Sequence, residues 1–170
     1  MERDEKIVAV LVALFTIGFL SGFLLGMCIG YTASSKPQGS KEIVVYEPQQ
    51  PKEWDLLFLG IVSVESEFDA NATNGKHVGY IQARQQYIDD ANRIVGSEEF
   101  TSEDRYDIER CKEMFNAIQG HYNPEQDLVK GAKIHYMGAS GYKKNPESND
   151  WYVRMVKKEV EKIKVAMRVL

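Results

Sequence analysis

The stretch VESEFDANATNGKHVGYIQ, residues 64–82, places a carboxylate where an apolar run ends and a polar loop begins. The preceding run is apolar at Leu56, Leu57, Leu59, Gly60, Ile61 and Val64. It is too long for a typical strand and reads as a mostly buried helix, with Glu65 in about its last turn. A carboxyl held against apolar surface resists ionisation, so the proton affinity of Glu65 is expected to be raised. A raised value keeps a proton at hand near neutral pH, which is what a general acid in glycosidic bond cleavage needs. Glu67 and Asp69 read instead as ordinary solvated acids. Beyond the loop, Gly79 would let the backbone come close to a ligand, and the amide of Gln82 suits a sugar hydroxyl or acetamido group. The competing reading of Gly79-Tyr80-Ile81-Gln82 is an ordinary turn with Ile81 in the core.

The elements that must position these residues are helical by pattern. Asp69 to Gly75 is loop by composition, and Val78 to Gln82 is short and extended at best. Gln85 to Val95 is expected to be a helix closed by Gly96. Thr101 or Ser102 is expected to cap a helix running to about Gly120. Asn123-Pro124-Glu125-Gln126 reads as a start signal: Asn123 caps, Pro124 takes the first helical position, and Gln126 reaches back. That helix is expected to run to about Met137 and stop at Gly138 and Gly141. Ser148 or Asn149 then caps a last helix, whose apolar face is Tyr152, Val156, Val160, Ile163, Met167 and Leu170. The sum is a mainly α domain with little sheet and no internal repeat.

The chain has 170 residues and a formal net charge of −4, enough for one small domain and an appendage. The acidic balance argues against nucleic acid as the main partner, because phosphate binding needs clustered Lys and Arg. Cys28 and Cys111 are the only cysteines and lie far apart, which excludes a disulfide framework. His77, His121 and His135 have no close metal-ligand spacing, so neither a metal nor a cofactor is expected.

Ile7 to Tyr31 carries no charged residue. About 20 apolar residues span a bilayer core as a helix. The run exceeds the roughly 7–15 residues of a signal-peptide core. Thr32-Ala33-Ser34 is a poor cleavage site, so a retained anchor is preferred to a removed signal. Arg3 and Lys6 before the span and Lys36 and Lys41 after it leave its orientation undecided. Gly18, Gly22, Gly26 and Gly30 recur every fourth residue. Such a stripe lets two helix backbones approach, although glycine is also simply commoner in membrane helices. The expected organisation is an anchor over residues 1–31, a flexible linker over 32–52, and a folded domain over 53–170.

Ile61-Val62-Ser63-Val64-Glu65-Ser66-Glu67-Phe68, followed by Ala72, Asn74 and Val78-Gly79-Tyr80-Ile81-Gln82, resembles the catalytic domain of the soluble lytic transglycosylase family. That family's pattern is an apolar helix ending in Glu-Ser-x-Phe, a loop, and Gly-Leu-Met-Gln or a variant. Glu65 and Ser66 match the first motif; Gly79 and Gln82 match the second, with Tyr80 and Ile81 for Leu and Met. The family's later Tyr-Asn-x-Gly is replaced by His135-Tyr136-Met137-Gly138, so His135 and Tyr136 depart from it. Tyr152-Val153-Arg154-Met155-Val156 resembles the closing Tyr-Val-x-x-Val segment.

The resemblance implies a lysozyme-like α fold behind the transmembrane helix. It also implies a glycan cleft, the MurNAc–GlcNAc backbone of peptidoglycan as substrate, and Glu65 as catalytic acid. Ser66, Gly79, Tyr80, Gln82, His135, Tyr136 and Tyr152 are then the residues expected to contact the glycan. Peptidoglycan lies outside the cytoplasmic membrane, so the N-terminus would be cytoplasmic and the domain external, in a bacterium or a phage-encoded setting. Three readings stay open: a transglycosylase forming 1,6-anhydroMurNAc, a lysozyme-type hydrolase of the same bond, and a glycan-binding or assembly module without activity. Asp69 and Asp89 are the carboxylates nearest in sequence that a hydrolase would call on.

Overall fold

The computed structural model describes residues 52–168. The anchor over 7–31, its glycine stripe, most of the linker, Cys28 and Leu170 lie outside them. Among the described residues the protein is mainly α: α1 (Glu53–Ser66), α2 (Gln85–Val95), α3 (Ile108–Tyr122), α4 (Leu128–Lys144) and α5 (Asp150–Met167), with one 3₁₀ turn at Glu103–Tyr106. The only sheet among them is a two-residue antiparallel ribbon, β1 (Thr73–Asn74) with β2 (His77–Val78). No helix among them is long and apolar enough to cross a membrane.

α1 is the central element. Every residue from Leu56 to Ser63 is buried, so the helix is apolar on all sides and must be surrounded. Its longest partner is α5. A Cβ on Gly60 would sit 2.6 Å from Val160 Cγ2 and 3.2 Å from the Val156 carbonyl, so only glycine admits this approach of the two helices. Ser63 Oγ donates to Glu159 Oε2 at 3.1 Å in the same buried seam. The expected face of α5 is present: Tyr152, Val156 and Ile163 are buried, and Val160 and Met167 are half-buried. Phe115 and Met114 of α3 and Ile134 of α4 complete the core.

Several boundaries differ from the sequence expectation. α2 ends as expected, with Gly96 left-handed at φ 77 and its N–H on Asn92 O. Thr101 and Ser102 introduce the 3₁₀ turn rather than a helix; Asp107 caps α3, its carboxylate accepting from the Glu109 and Arg110 N–H groups. Asn123 does not start a helix. It follows α3, is fully buried, and its side chain clasps Asp127 by accepting from its N–H at 3.2 Å and donating to its carbonyl at 2.9 Å. Asp127 is the cap of α4. The capping box fails because Gln126 lies at φ 55, outside the helical region. α4 also does not stop at Gly138. It kinks there (φ 74, ψ 162) and continues to Lys144. The stop comes at Asn145, where Pro146 disfavours helical geometry in the preceding residue. Asn149 precedes α5 in the left-handed region and makes no side-chain cap bond.

Candidate active site

α1 delivers Glu65 to its end as the sequence predicted. The helix then turns sharply through two left-handed residues that are not glycine, Glu67 (φ 52) and Phe68 (φ 63). Such conformations are unfavourable by about 1–2 kcal/mol each and gather at functional sites. Burial of Phe68 against the core holds the turn in place.

Three other elements converge on the Glu65 carboxyl. Tyr152, from the first turn of α5, donates its hydroxyl to Oε1 at 2.6 Å. His135, from α4, brings Nε2 to 3.7 Å from the same oxygen, an ion-pair separation rather than a hydrogen bond. His77, from β2, is near enough for its charge to act on Glu65. The Glu65 side chain keeps 20% of its exposure and that of His135 only 5%, so the carboxyl looks outward from a buried support.

The electrostatics overturn one expectation. Burial alone would push the Glu65 carboxyl up, and it is the largest single influence. His135 by proximity and charge, the Tyr152 hydroxyl, and the charge of His77 together outweigh it, so the carboxyl lies below its ordinary value of 4.5. Apolar context along the helix is visible in sequence; donors arriving from α4 and α5 are not. The Tyr152 phenol shifts the other way, raised well above its ordinary value by burial and then by the Glu65 charge, so it stays a donor. His77 is lowered by burial and by Arg84, whose Nε donates to His77 Nε2.

The other expected contact residues divide into two groups. Tyr136 is 46% exposed and stacks on Tyr152, ring centroids 4.7 Å apart and planes 31° apart. Together with Tyr152 and His135 it belongs to the Glu65 neighbourhood. Ser66, Gly79 and Gln82 have structural duties instead. Ser66 is buried and donates to the Val62 carbonyl at 3.1 Å within its own helix. Gly79 does not offer open backbone: a Cβ there would lie 2.0 Å from the Arg105 carbonyl, and φ is +78. Gln82 donates its amide N–H groups to the Ala72 and Gly79 carbonyls at 2.9 and 3.0 Å, closing the loop rather than facing a sugar. Tyr80 is half-buried against the core, its N–H on Arg105 O at 3.1 Å. The motif from Gly79 to Gln82 therefore builds the loop beside the site.

Sequence reasoning missed three residues. His77 enters the sequence pattern only as one of three histidines without metal-ligand spacing. Trp151, 45% exposed, stands edge-on to Tyr136 at 5.2 Å; its position beside Tyr152 was the available signal. Tyr87 of α2 lies edge-on to His135 at 5.7 Å. Its hydroxyl and His135 Nδ1 are both buried with no hydrogen-bond partner among the described residues. Orphaned buried groups are rare in natural cores and mark places shaped by more than packing.

Asp69 accepts from the Asn71 N–H at 2.9 Å, Asp89 from Gln85 Nε2 at 2.9 Å, and both residues are exposed. No group of three His, Cys, Asp or Glu among the described residues is arranged to hold a metal. Cys111 is buried, its thiol pushed up to about 12 chiefly by burial, and so unreactive. An apolar cavity of about 290 Å³ opens between Leu56, Leu57, Leu128, Val153 and Val160, but neither Glu65, His135 nor Tyr152 lines it. The cavity is thus separate from the Glu65 carboxyl and its partners. The chain matches no family model, no curated protein and no solved structure.

Proposed function

We propose that the protein is a membrane-anchored peptidoglycan lytic transglycosylase with a lysozyme-like domain, and that Glu65 is its acid and then its base. The observation that carries this reading is the Glu65 carboxyl itself. It sits at the end of the core helix, clasped by Tyr152, faced by His135, and beside exposed aromatic rings. The motif resemblance running through Glu65-Ser66 and Gly79 to Gln82 points to the same chemistry.

In the reaction, protonated Glu65 gives its proton to the glycosidic oxygen as the bond from that oxygen to the MurNAc anomeric carbon breaks. The neighbouring acetamido oxygen stabilises the developing cation. Glu65, now a carboxylate, takes the proton of the sugar's own 6-hydroxyl while O6 bonds to the anomeric carbon. One carboxyl serves both steps and no water enters. The Tyr152 hydroxyl stabilises the carboxylate between them. Because Glu65 is easily ionised in the free protein, the active form lies on the acid side, and the rate is expected to fall as pH rises through its titration. A glycan closing over the carboxyl would remove water, strengthen burial, and return a proton to it. With the substrate outside the membrane, the apolar span over 7–31 would run with its N-terminus in the cytoplasm.

The test is release of muropeptides from purified peptidoglycan, read by mass spectrometry. Wild type is expected to release 1,6-anhydroMurNAc ends, and Glu65→Gln to release none while still binding glycan. Reducing, hydrated ends would make the protein a hydrolase. No release from a folded wild type that binds glycan would leave a binding module.

A further inference from the structure

Where the family motif carries an asparagine, this chain carries Tyr136, and that ring does not stand alone. Trp151 meets it edge-on at 5.2 Å with planes 82° apart, and Tyr152 lies beneath it at 4.7 Å. Tyr136 and Trp151 are 46% and 45% exposed, as is Met155 at 45%, one turn beyond Trp151 on α5. Large apolar side chains grouped at the surface mark a binding site more often than they fill space. Neither the Trp151 indole N–H nor the Tyr136 hydroxyl is engaged by another described residue. Both residues keep nearly half of their surface exposed, within reach of a ligand.

We propose that Tyr136 and Trp151 form a sugar subsite of this chain, a right-angled aromatic corner that takes one N-acetylated pyranose of the glycan. The proposal rests on the transglycosylase reading for its substrate class. An aromatic face matches the C–H face of a pyranose, and a second face at a right angle matches the acetamido methyl that projects from the ring edge. Rigid rings offer this contact area with little side-chain freedom to lose. The corner is continuous with the reacting carboxyl: Trp151 touches Tyr136, Tyr136 stacks on Tyr152, and Tyr152 donates to Glu65. A sugar seated there places its neighbour toward Glu65, so the corner sets register along the strand. Starch-like glucans without acetamido groups would fill only one of its two faces.

Trp54 and Trp151 are the only tryptophans, which makes the test direct. The full chain, carrying Glu65→Gln to prevent turnover, is labelled with 5-fluorotryptophan in a zwitterionic detergent and titrated with chitotetraose. The two ¹⁹F signals are assigned with Trp151→Phe. The Trp151 signal is expected to move saturably while Trp54 stays, maltotetraose is expected to do much less, and Trp151→Ala is expected to weaken binding about tenfold. Tyr136→Asn should weaken it in the same direction. A silent Trp151 signal in folded protein, equal movement of both signals, or an equal response to maltotetraose would overturn the subsite. So would a shift seen only with lipid vesicles. The two readings fail separately. If peptidoglycan is not cleaved but Trp151 still responds, catalysis falls and the subsite stands. If wild type and Trp151→Ala cleave equally well at low substrate, the subsite falls and catalysis stands.

Discussion

Tyr152→Phe removes one oxygen and leaves the ring that packs between α1 and Tyr136. Its effect is therefore the loss of a single hydrogen bond, the 2.6 Å donation to Glu65 Oε1. A hydrogen bond to a charged group contributes about 1.5–3 kcal/mol. The Glu65 side chain retains 20% exposure, so water can replace part of the donor and a figure of about 2 kcal/mol is reasonable. For a domain of this size that corresponds to a fall in Tm of roughly 8 °C at pH 7. The pH dependence has a definite sign. The Glu65 carboxyl lies below its ordinary 4.5 in the folded protein, so its contribution is present above that value and lost as pH falls through the folded titration. The Tm gap between wild type and Tyr152→Phe should be widest at neutral pH and narrower at an acid pH where the folded carboxyl is protonated. Calorimetry of the fragment from Lys52 to Leu170 at both pH values measures it. Equal Tm values at pH 7, or a gap that does not change with pH, would show that the Tyr152–Glu65 bond does not hold the site together.

Two further substitutions probe the site and its frame. His135→Asn removes the largest influence that lowers the Glu65 carboxyl and leaves burial opposed only by Tyr152 and His77. The ¹³C-detected titration of Glu65 and the alkaline limb of the pH–rate profile should both move up; movement down, or none, would refute the electrostatic account. Gly79→Ala forces a left-handed φ on a side chain and a Cβ to 2.0 Å from the Arg105 carbonyl. Strain and overpacking together predict a loss of about 3 kcal/mol, read as a lower urea midpoint. A loss under about 1 kcal/mol would mean the loop yields more easily than its packing implies.

Local signals were legible in the sequence wherever one element sufficed to make them. The nearly unbroken apolar pattern from Leu56 to Val64 required a buried helix, and a buried helix that ends in a polar loop must present Glu65 near that end. The face of α5 followed from spacing, as did the stop of α2 at Gly96. What spacing misjudged were signals with two possible uses. Asn123 can cap a helix or clasp a turn, and burial against Asp127 chose the turn. Gly138 can end a helix or kink it, and the helix went on until Pro146. The types of Gly79 and Gln82 suit a ligand, but their spacing also closes a loop, and the nearby Arg105 and Ala72 carbonyls take them.

The proton affinity of Glu65 belongs wholly to the tertiary structure. Along its own helix the carboxyl follows a mainly apolar run, which predicts an upward shift. Its direction is reversed by groups that are remote in sequence, with Tyr152 donating from 87 positions away and His135 facing it from another helix. Burial is a property of the local pattern and can be read from one segment. A Coulombic or hydrogen-bonded partner acts over a few ångströms of space, and only the packing of α4 and α5 on α1 decides which side chains come that close.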